Sequence, residues 1–186
     1  GKKIVFSGVG KTRDEINLVV EGGVKQFNVE SESELKVLNT VAVAHKKQLP
    51  ISIRINPDID AKTHAKISTG KSNNKFGIPF DDAVEIFQKA SEFSHLRVHG
   101  IAVHIGSQLT DLEPYRRTFL KIADLVKILR TEGHEIKSLD LGGGIGIPYS
   151  DKTPVIDLQE YGKLVKNTLG DLDCDFEFEP GRLIVG

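Results

Sequence analysis

Short runs of apolar residues alternate along the chain with longer stretches in which apolar residues recur at helical spacing. The short runs predict β-strands and the longer stretches predict α-helices. The predicted strands are Ile4–Phe6, Phe27–Val29, Ile51–Ile55, Val98–Val103, Ser138–Leu141 and Phe176–Phe178. The predicted helices are Thr12–Glu21, Ser33–Lys47, Asp81–Phe93, Leu112–Gly133 and a helix near Leu158–Leu169. This alternation indicates an α/β fold with right-handed crossovers and a parallel sheet.

Residue types at the predicted helix ends support these boundaries. Ser31 followed by Glu34 is typical of an N-terminal capping box. Asp81 precedes an apolar periodic run, and Gly133 ends the longest predicted helix where a left-handed residue is favoured. The irregular stretch from Asn56 to Pro79 is too long for a plain connection, so we interpret it as a candidate functional loop.

Two architectures are compatible with these strand–helix units: an open doubly wound sheet and most of a (β/α)₈ barrel. A complete barrel takes about 250 residues, whereas the chain has 186, so a barrel would lack units. An open sheet binds its ligand at one switch point and uses few strands there. Here polar clusters follow several successive late strands, which favours the barrel.

Composition narrows the classes of function. Charged residues make up 27% of the chain and nearly cancel to a net charge of −1, which gives no bulk electrostatic reason to expect nucleic-acid or anionic-membrane binding. The apolar runs are too short to span a bilayer, and no secretory signal pattern opens the chain. The single cysteine, Cys174, cannot form an internal disulfide, so we expect a reducing, cytoplasmic location.

Two segments match part of the nucleotide-binding P-loop motif but lack its first glycine. Val5 stands at that position for Gly10-Lys11-Thr12, and Ala65 stands there for Gly70-Lys71-Ser72. We therefore interpret the first segment as a strand-to-helix turn. The histidines and the lone cysteine show no zinc-ligand spacing, so we predict no metal site.

Glycine-rich or polar clusters follow the late predicted strands. In His104-Ile105-Gly106-Ser107-Gln108, His104 is a candidate for stacking on a planar ligand or donating a proton, and otherwise a packed, hydrogen-bonded histidine. The run Gly142-Gly143-Gly144 is a candidate nest of backbone N–H donors for one phosphate, or else a tight strand exit beside a packed neighbour.

The last cluster, Glu179-Pro180-Gly181-Arg182, places opposite charges at the end of the final strand. Glu179 could face a heterocyclic nitrogen, and Arg182 could bind a phosphate or a substrate carboxylate through its planar fork. Alternatively, the two side chains form a surface ion pair that contributes little. Together the clusters suit a flat, phosphorylated, heteroaromatic ligand.

These clusters, in this order and with Pro148-Tyr149, resemble the fold type III pyridoxal-phosphate-dependent decarboxylases. The resemblance runs from about Ile4 to the last residue, and it is greatest for the branch that converts meso-diaminopimelate to L-lysine and CO₂. The supporting matches are Phe27-Asn28-Val29-Glu30-Ser31, Arg54-Ile55-Asn56-Pro57, Thr63-His64, Ile67-Ser68-Thr69-Gly70 and Lys75-Phe76-Gly77-Ile78.

The resemblance implies a (β/α)₈ barrel of the alanine-racemase-like kind that binds pyridoxal 5′-phosphate at the carboxyl ends of its strands. It implies that His104 stacks on the cofactor ring, that Glu179 keeps the pyridine nitrogen protonated, and that Arg182 binds the phosphate or a substrate carboxylate. It also implies an amino-acid substrate and a homodimer. The other cofactor-binding residues that the resemblance implies are Ser107, Gly142, Gly143, Gly144, Pro180 and Gly181. All of these except Pro180 are expected to surround the phosphate.

Two features of that family are missing from the sequence. No segment matches the Lys-Ala-Asn context of the Schiff-base lysine, and the C-terminal β domain has no counterpart. We therefore expect residues 1–186 to form a partial pyridoxal-phosphate-binding barrel domain, about units three to eight of a longer protein, inactive by itself. The open alternatives are a sister decarboxylase acting on ornithine or arginine, a non-catalytic relative that binds a partner, and a phosphate-binding barrel enzyme without pyridoxal.

Overall fold

A parallel β-sheet, covered on one face by helices, forms the framework of the computed structural model, which describes residues 3–59, 76–151 and 153–186. Every predicted strand and helix is present, with boundaries shifted by a few residues. The strands are β1 (Val5–Phe6), β2 (Gln26–Val29), β3 (Leu49–Asn56), β4 (Ile78–Pro79), β5 (Leu96–Ala102), β6 (Ser138–Asp140) and β7 (Asp175–Glu177). The helices are α1 (Arg13–Gly22), α2 (Glu32–Ala44), α3 (Ala83–Ser91), α4 (Glu113–Thr131), α5 (Leu158–Leu169) and α6 (Gly181–Val185), with 3-10 turns at Phe80–Asp82 and Gly170–Leu172.

Strand β4 and helix α6 were not predicted because each is too short to show a periodic pattern. The other strands lie in the order β1-β2-β3-β5-β6-β7, every neighbouring pair is parallel, and β4 pairs with β3. A doubly wound sheet reverses its strand order at a switch point. The order here follows the chain without reversal, so the doubly wound alternative is wrong and barrel-type winding is confirmed.

The sheet is strongly curved. Three strand spacings separate β2 from β6, which is about 14 Å in a flat sheet, yet Asn28 Nδ2 of β2 lies 2.6 Å from Asp140 Oδ2 of β6. Lys25 and Glu177, at β2 and β7, form an ion pair across the same face. The strands therefore curl into part of a barrel whose concave face brings distant strands together.

Side chains alternate between the two faces of this curved sheet. The convex face carries apolar residues that pack against the helices, among them Phe27, Ile51, Ile53, Ile101 and Leu139, all at most 1% exposed. The concave face carries buried polar residues, which are Gln26, Asn28, Ser52, Ser138 and Asp140. This period of two explains why the strands look apolar in sequence while the barrel interior is polar.

Helix α4 is the longest helix and joins the β5 end to β6. It buries Tyr115, Phe119, Ile122 and Val126, and Tyr115 and Phe119 contact the ring of Tyr161 in α5. Because aromatic side chains bury large areas, this cluster fixes α4 and α5 against the sheet. Within the described ranges, no helix has the length and apolarity needed to cross a membrane.

The helix ends agree with the predicted signals in most respects. Ser31 Oγ accepts the Glu34 N–H at 3.2 Å, but the Glu34 carboxylate accepts the Glu30 N–H rather than that of Ser31, so the predicted capping box is only half formed. A full capping box, not predicted, joins Thr12 and Glu15 at the start of α1. Gly133 has φ 91°, as expected for a left-handed helix stop.

The segment Gly10-Lys11-Thr12 is the strand-to-helix turn that the sequence predicted. Lys11 Nζ donates to Gly8 O at 2.7 Å, to Asn28 O at 2.7 Å and to Glu34 Oε1 at 2.6 Å. The Lys11 and Glu34 side chains are only 2% and 9% exposed. This buried ion pair holds the turn after β1 against the start of α2.

Loss of this ion pair is expected to destabilise the fold. Lys11→Met would leave the Glu34 carboxylate buried without its cation, which typically costs about 3 kcal/mol. Urea denaturation should show this loss in the free energy of unfolding. The matched control is Lys127→Met, which removes an exposed partner of Asp124 and should cost less than about 0.5 kcal/mol. Equal losses in the two variants would contradict the structural role assigned to Lys11.

Candidate functional site

The predicted clusters meet at the carboxyl ends of β5, β6 and β7. Gly143 N lies 3.5 Å from His104 Nδ1, so the loop after β6 contacts the loop after β5. Glu179 N donates to Gly142 O at 2.7 Å, so the loop after β7 contacts the same glycines. The sequence prediction that these clusters form one site is therefore consistent with the backbone hydrogen bonds.

The run of glycines is required by the backbones that surround it. A Cβ atom on Gly142 would overlap Val103 O, one on Gly143 would overlap Glu179 O, and one on Gly144 would overlap Gly106 O. Gly142 and Gly144 also have φ angles of 66° and 88°. The alternative of a tight strand exit beside packed neighbours is therefore correct for these residues, independently of any phosphate.

Several N–H groups in these loops already have partners within the chain. Gly142 N donates to Asp140 Oδ1 at 2.9 Å, and Gly181 N donates to Glu179 O at 2.9 Å. The contact of Gly143 N with His104 Nδ1 is long, at 3.5 Å, and hence weak. Ser107, in the loop after β5, is exposed, and we call this exposed edge formed by the loops after β5, β6 and β7 the rim. An anion at this rim would meet Ser107 and the weakly bound Gly143 N–H.

Two side chains that the sequence did not identify as site residues fix these loops. Tyr115 in α4 is 1% exposed and donates from its hydroxyl to Gly143 O at 3.0 Å. Gln108 has φ 60° and binds both backbone groups of Ile147, with Nε2 2.6 Å from Ile147 O and Oε1 3.3 Å from Ile147 N. The sequence signal that could have identified Gln108 was its place in the first cluster. For Tyr115 the only signal was an apolar position in a predicted helix.

The carboxyl group of Glu179 turns into the concave face. Asn28 Nδ2 donates to Asp140 Oδ2 at 2.6 Å and contacts Glu179 Oε1 at 3.3 Å. Burial, followed by the charge of Asp140 and a hydrogen bond with it, raises the pKa of Glu179 to about 7, while Arg54 and the Ser7 hydroxyl act in the opposite direction. A carboxyl group with such a pKa can hold or release a proton near neutral pH.

Arg54 supplies the positive charge at this end of the barrel. Its Nη1 lies 2.7 Å from Glu30 Oε1, and the two side chains are 12% and 6% exposed. Partial burial, and secondly the Arg54 charge, lower the pKa of His104, so its imidazole is neutral at pH 7. A neutral ring at the site entrance suits stacking on a planar ligand.

Two open cavities lie beside these residues. One, of about 190 Å³, is bordered by Arg54, Asn56, Phe76 and His104. The other, of about 430 Å³, is bordered by Lys11, Glu30, Glu34 and Phe76 among others. Both open at the carboxyl ends of the strands, where parallel α/β folds bind their ligands.

Arg182 does not pair with Glu179, so the predicted alternative of a surface ion pair is wrong. The Arg182 guanidinium donates to the Tyr149 hydroxyl and lies 5.8 Å from the centre of that ring. Both side chains are exposed. Glu179 points into the barrel and Arg182 points to the rim, because Pro180 and Gly181 turn the chain between them.

Some sequence predictions fall on residues outside the described ranges. These are Thr63-His64, Ile67-Ser68-Thr69-Gly70, the second glycine–lysine segment, Lys75 and most of the candidate loop Asn56–Pro79. Within the described ranges, no group of three or more His, Cys, Asp or Glu side chains is arranged to hold a metal ion.

Comparison with known proteins identifies similar sequences over nearly the whole chain. The family described as pyridoxal-dependent decarboxylase, pyridoxal binding domain, matches residues 1–186. The diaminopimelate decarboxylase of Zymomonas mobilis is 43% identical over 185 residues, covering 99% of this chain and 44% of the relative. That of Vibrio cholerae is 48% identical over 183 residues, covering 98% and 44%. The chain thus spans less than half the length of these relatives.

Solved structures show the same similarity. Diaminopimelate decarboxylase from Helicobacter pylori, solved in complex with L-lysine, has a TM-score of 0.90 and 44% identity, covering 97% of this chain and 46% of that protein. The arginine decarboxylase of Paramecium bursaria Chlorella virus has a TM-score of 0.75 and 24% identity, covering 96% and 45%, which shows the shared fold alone.

The close backbone contact at Gly143 predicts a large effect of a single methyl group. Gly143→Ala should lower the free energy of unfolding by at least about 2 kcal/mol, because the loops after β6 and β7 must separate. Gly162→Ala is the matched control, since Gly162 lies in α5 with no atom near its Cβ position and alanine should stabilise the helix by about 0.5–1 kcal/mol. Chemical denaturation measures both, and a neutral Gly143→Ala would contradict the contact.

The pKa of Glu179 predicts a pH-dependent stability. Its carboxyl group is protonated in both the folded and the unfolded chain below its ordinary pKa of 4.5, and the folded-state pKa is about 7. The stability it contributes is therefore complete below the ordinary value and is lost as pH rises through the folded-state value. Relative to Glu179→Gln, the cofactor-free wild type should lose on the order of 1 kcal/mol between about pH 5 and pH 8.

Thermal unfolding across this pH range measures the difference between the two proteins. Glu135→Gln, which changes an exposed glutamate, is the control and should follow the wild type at every pH. A constant difference between wild type and Glu179→Gln would contradict the raised pKa.

Proposed function

The chain belongs to the pyridoxal-dependent decarboxylases as a pyridoxal-binding domain, and on that premise we propose that the protein containing it converts meso-diaminopimelate to L-lysine and CO₂ with pyridoxal 5′-phosphate. Identity of 42% to 48% with diaminopimelate decarboxylases, against 24% with a viral arginine decarboxylase, supports this branch over the sister activities. The observation that carries the proposal is the convergence of His104, Glu179 and the glycine run at one end of the barrel.

The described residues fit the chemical groups of the cofactor. The carboxyl group of Glu179 points into the concave face, where it would form a hydrogen bond with the ring nitrogen. The neutral imidazole of His104 would lie against the ring. Ser107, the backbone of the run from Gly142 to Gly144, and Gly181 would surround the phosphate, and Pro180 would contact the cofactor. Arg182 on the rim would bind the phosphate or a substrate carboxylate.

Each of these residues has a distinct physical task in the reaction. The cofactor supplies an electron sink for the carbanion that loss of CO₂ leaves. As a carboxylate, Glu179 would accept a hydrogen bond from the ring N–H and so favour the protonated nitrogen. His104 would exclude water from one side of the ring, and the glycine loops would orient the phosphate.

The lysine that attaches the cofactor is proposed to lie outside residues 1–186. Lys11, at the carboxyl end of β1, is held by Glu34 and two carbonyl oxygens and is therefore not free to react. We infer that the chain is a partial barrel domain, about units three to eight of the longer protein, in keeping with its 44% coverage of its relatives. A cytoplasmic location and a homodimer remain predictions, the second measurable by sedimentation.

The proposed activity is tested with the full-length protein and added pyridoxal 5′-phosphate. Release of CO₂ from meso-diaminopimelate should exceed that from L-ornithine or L-arginine by at least about 100-fold in kcat/KM. Preference for ornithine or arginine would instead establish a sister decarboxylase. Cofactor binding without release of CO₂ from any of them would favour a non-catalytic relative.

Replacement of Glu179 should affect the chemical step more than binding. Glu179→Gln removes the negative charge that keeps the ring nitrogen protonated, so kcat should fall by about 100-fold or more, while KM changes little. Steady-state kinetics measure both parameters, and Glu135→Gln serves as the surface control. An unchanged kcat in Glu179→Gln would contradict its proposed place against the ring nitrogen.

A further inference from the structure

Two carboxyl groups share one region of the concave face. Asp140, at the end of β6, is 1% exposed, and Glu179 reaches the same region from the loop after β7. Asn28 of β2 contacts both, at 2.6 Å from Asp140 Oδ2 and 3.3 Å from Glu179 Oε1. The amide therefore ties the two acids together from the opposite strand.

The orientation of the Asn28 amide is set by its neighbour. Gln26 Nε2 donates to Asn28 Oδ1 at 2.9 Å, which leaves the Asn28 NH₂ group directed at the two carboxyl groups. An amide nitrogen has two hydrogens, so it can donate to both acids at once. The Ser7 hydroxyl oxygen also lies 3.3 Å from this nitrogen and shares the hydrogen directed at Glu179. The amide nitrogen can never accept a proton from either acid, so any proton on this pair lies on a carboxyl oxygen.

The two carboxyl groups differ in their hydrogen bonds. Asp140 accepts N–H groups on both oxygens, from Asn28 at 2.6 Å and from Gly142 at 2.9 Å. Glu179 lies beside Asp140, since the Asn28 amide nitrogen contacts both carboxyl groups, and two ionised carboxylates this close repel each other. A proton on Glu179, whose pKa is raised to about 7, would remove this repulsion.

The other groups that face Glu179 do not replace this proton. The Arg54 guanidinium is nearby, but it already pairs with Glu30 at 2.7 Å. The Ser7 hydroxyl after β1 is a neutral hydrogen-bond partner. His104 is neutral at pH 7 because partial burial lowers its pKa. Among these groups, the one cation is thus already paired with another carboxylate.

We propose that Asp140 is a positioning residue that shares a single proton with Glu179 in the cofactor-free protein, and that this proton is released when a protonated ring nitrogen binds against Glu179. The inference rests on the proposed function, because it concerns the site proposed for pyridoxal 5′-phosphate. In the step itself, the O–H bond of Glu179 breaks, its proton passes to solvent, and the ring N–H donates to the carboxylate that remains. The charge of the ring replaces the charge of the departing proton.

Proton release is measured in the full-length protein by isothermal titration calorimetry with pyridoxine 5′-phosphate, which has no aldehyde and binds without covalent attachment. Titrations in buffers of different ionisation enthalpy give the number of protons exchanged. At about pH 6.5, wild type should release more than about half a proton per ligand beyond Asp140→Asn. The ionisation of the ligand is common to both proteins and cancels in this comparison. The difference should vanish at about pH 8.5, where Glu179 is already ionised.

Controls separate this inference from the proposed function and from a folding defect. Ser138→Ala removes another buried polar group of β6, bonded to Glu177 rather than to the pair, and should release as many protons as wild type. If Asp140→Asn fails to fold, Asp140→Ser, which also removes the second carboxyl group and leaves Glu179 in place, gives the same expected loss of proton release. Equal proton release in wild type and in either variant would overturn the shared proton. Absence of ligand binding by wild type would overturn the proposed function instead.

Discussion

The close contact of three loops at the run Gly142-Gly143-Gly144 is the constraint on which the site depends. Gly142 and Gly144 touch the loop after β5, at Val103 and Gly106, and Gly143 touches the loop after β7 at Glu179. Since no other residue type lacks a Cβ atom, the ends of three strands can converge only with this sequence. The positions of His104 and Glu179 follow from that convergence, and so does the entry of the Glu179 carboxyl group into the barrel.

The curved sheet divides stability and chemistry between its faces. Its convex face buries Phe27, Ile51 and Leu139 against the helices, whereas polar side chains crowd the concave face. Some buried polar atoms there, Gln26 Oε1, Ser52 Oγ and Glu177 Oε2, have no hydrogen-bond partner within the described residues. Each such atom lowers the free energy of unfolding by about 1–3 kcal/mol. Burial of the apolar residues on the convex face offsets this loss, which the polar concave face incurs for its chemistry.

The sequence predicted the features that depend on local pattern. Apolar periodicity located the strands and helices, and the clusters at the strand ends identified His104, the glycine run and Glu179. It did not reveal Asn28 and Asp140, because they lie 112 positions apart and meet only through the curvature of the sheet. Likewise, the capping box at Ser31 is only half formed because Lys11 and the Glu30 N–H bind the two oxygens of Glu34. Glu179 and Arg182 diverge because a turn separates them.

Gln108 links two loops mechanically. Its side chain binds both the N–H and the C=O of Ile147, and its backbone holds a left-handed conformation that costs on the order of 1–3 kcal/mol in a residue with a Cβ atom. A displacement of the loop after β5 is therefore transmitted to the loop after β6 through this side chain. The exposed contact of Tyr149 with Arg182 lies outside this link and joins the loop after β6 to α6.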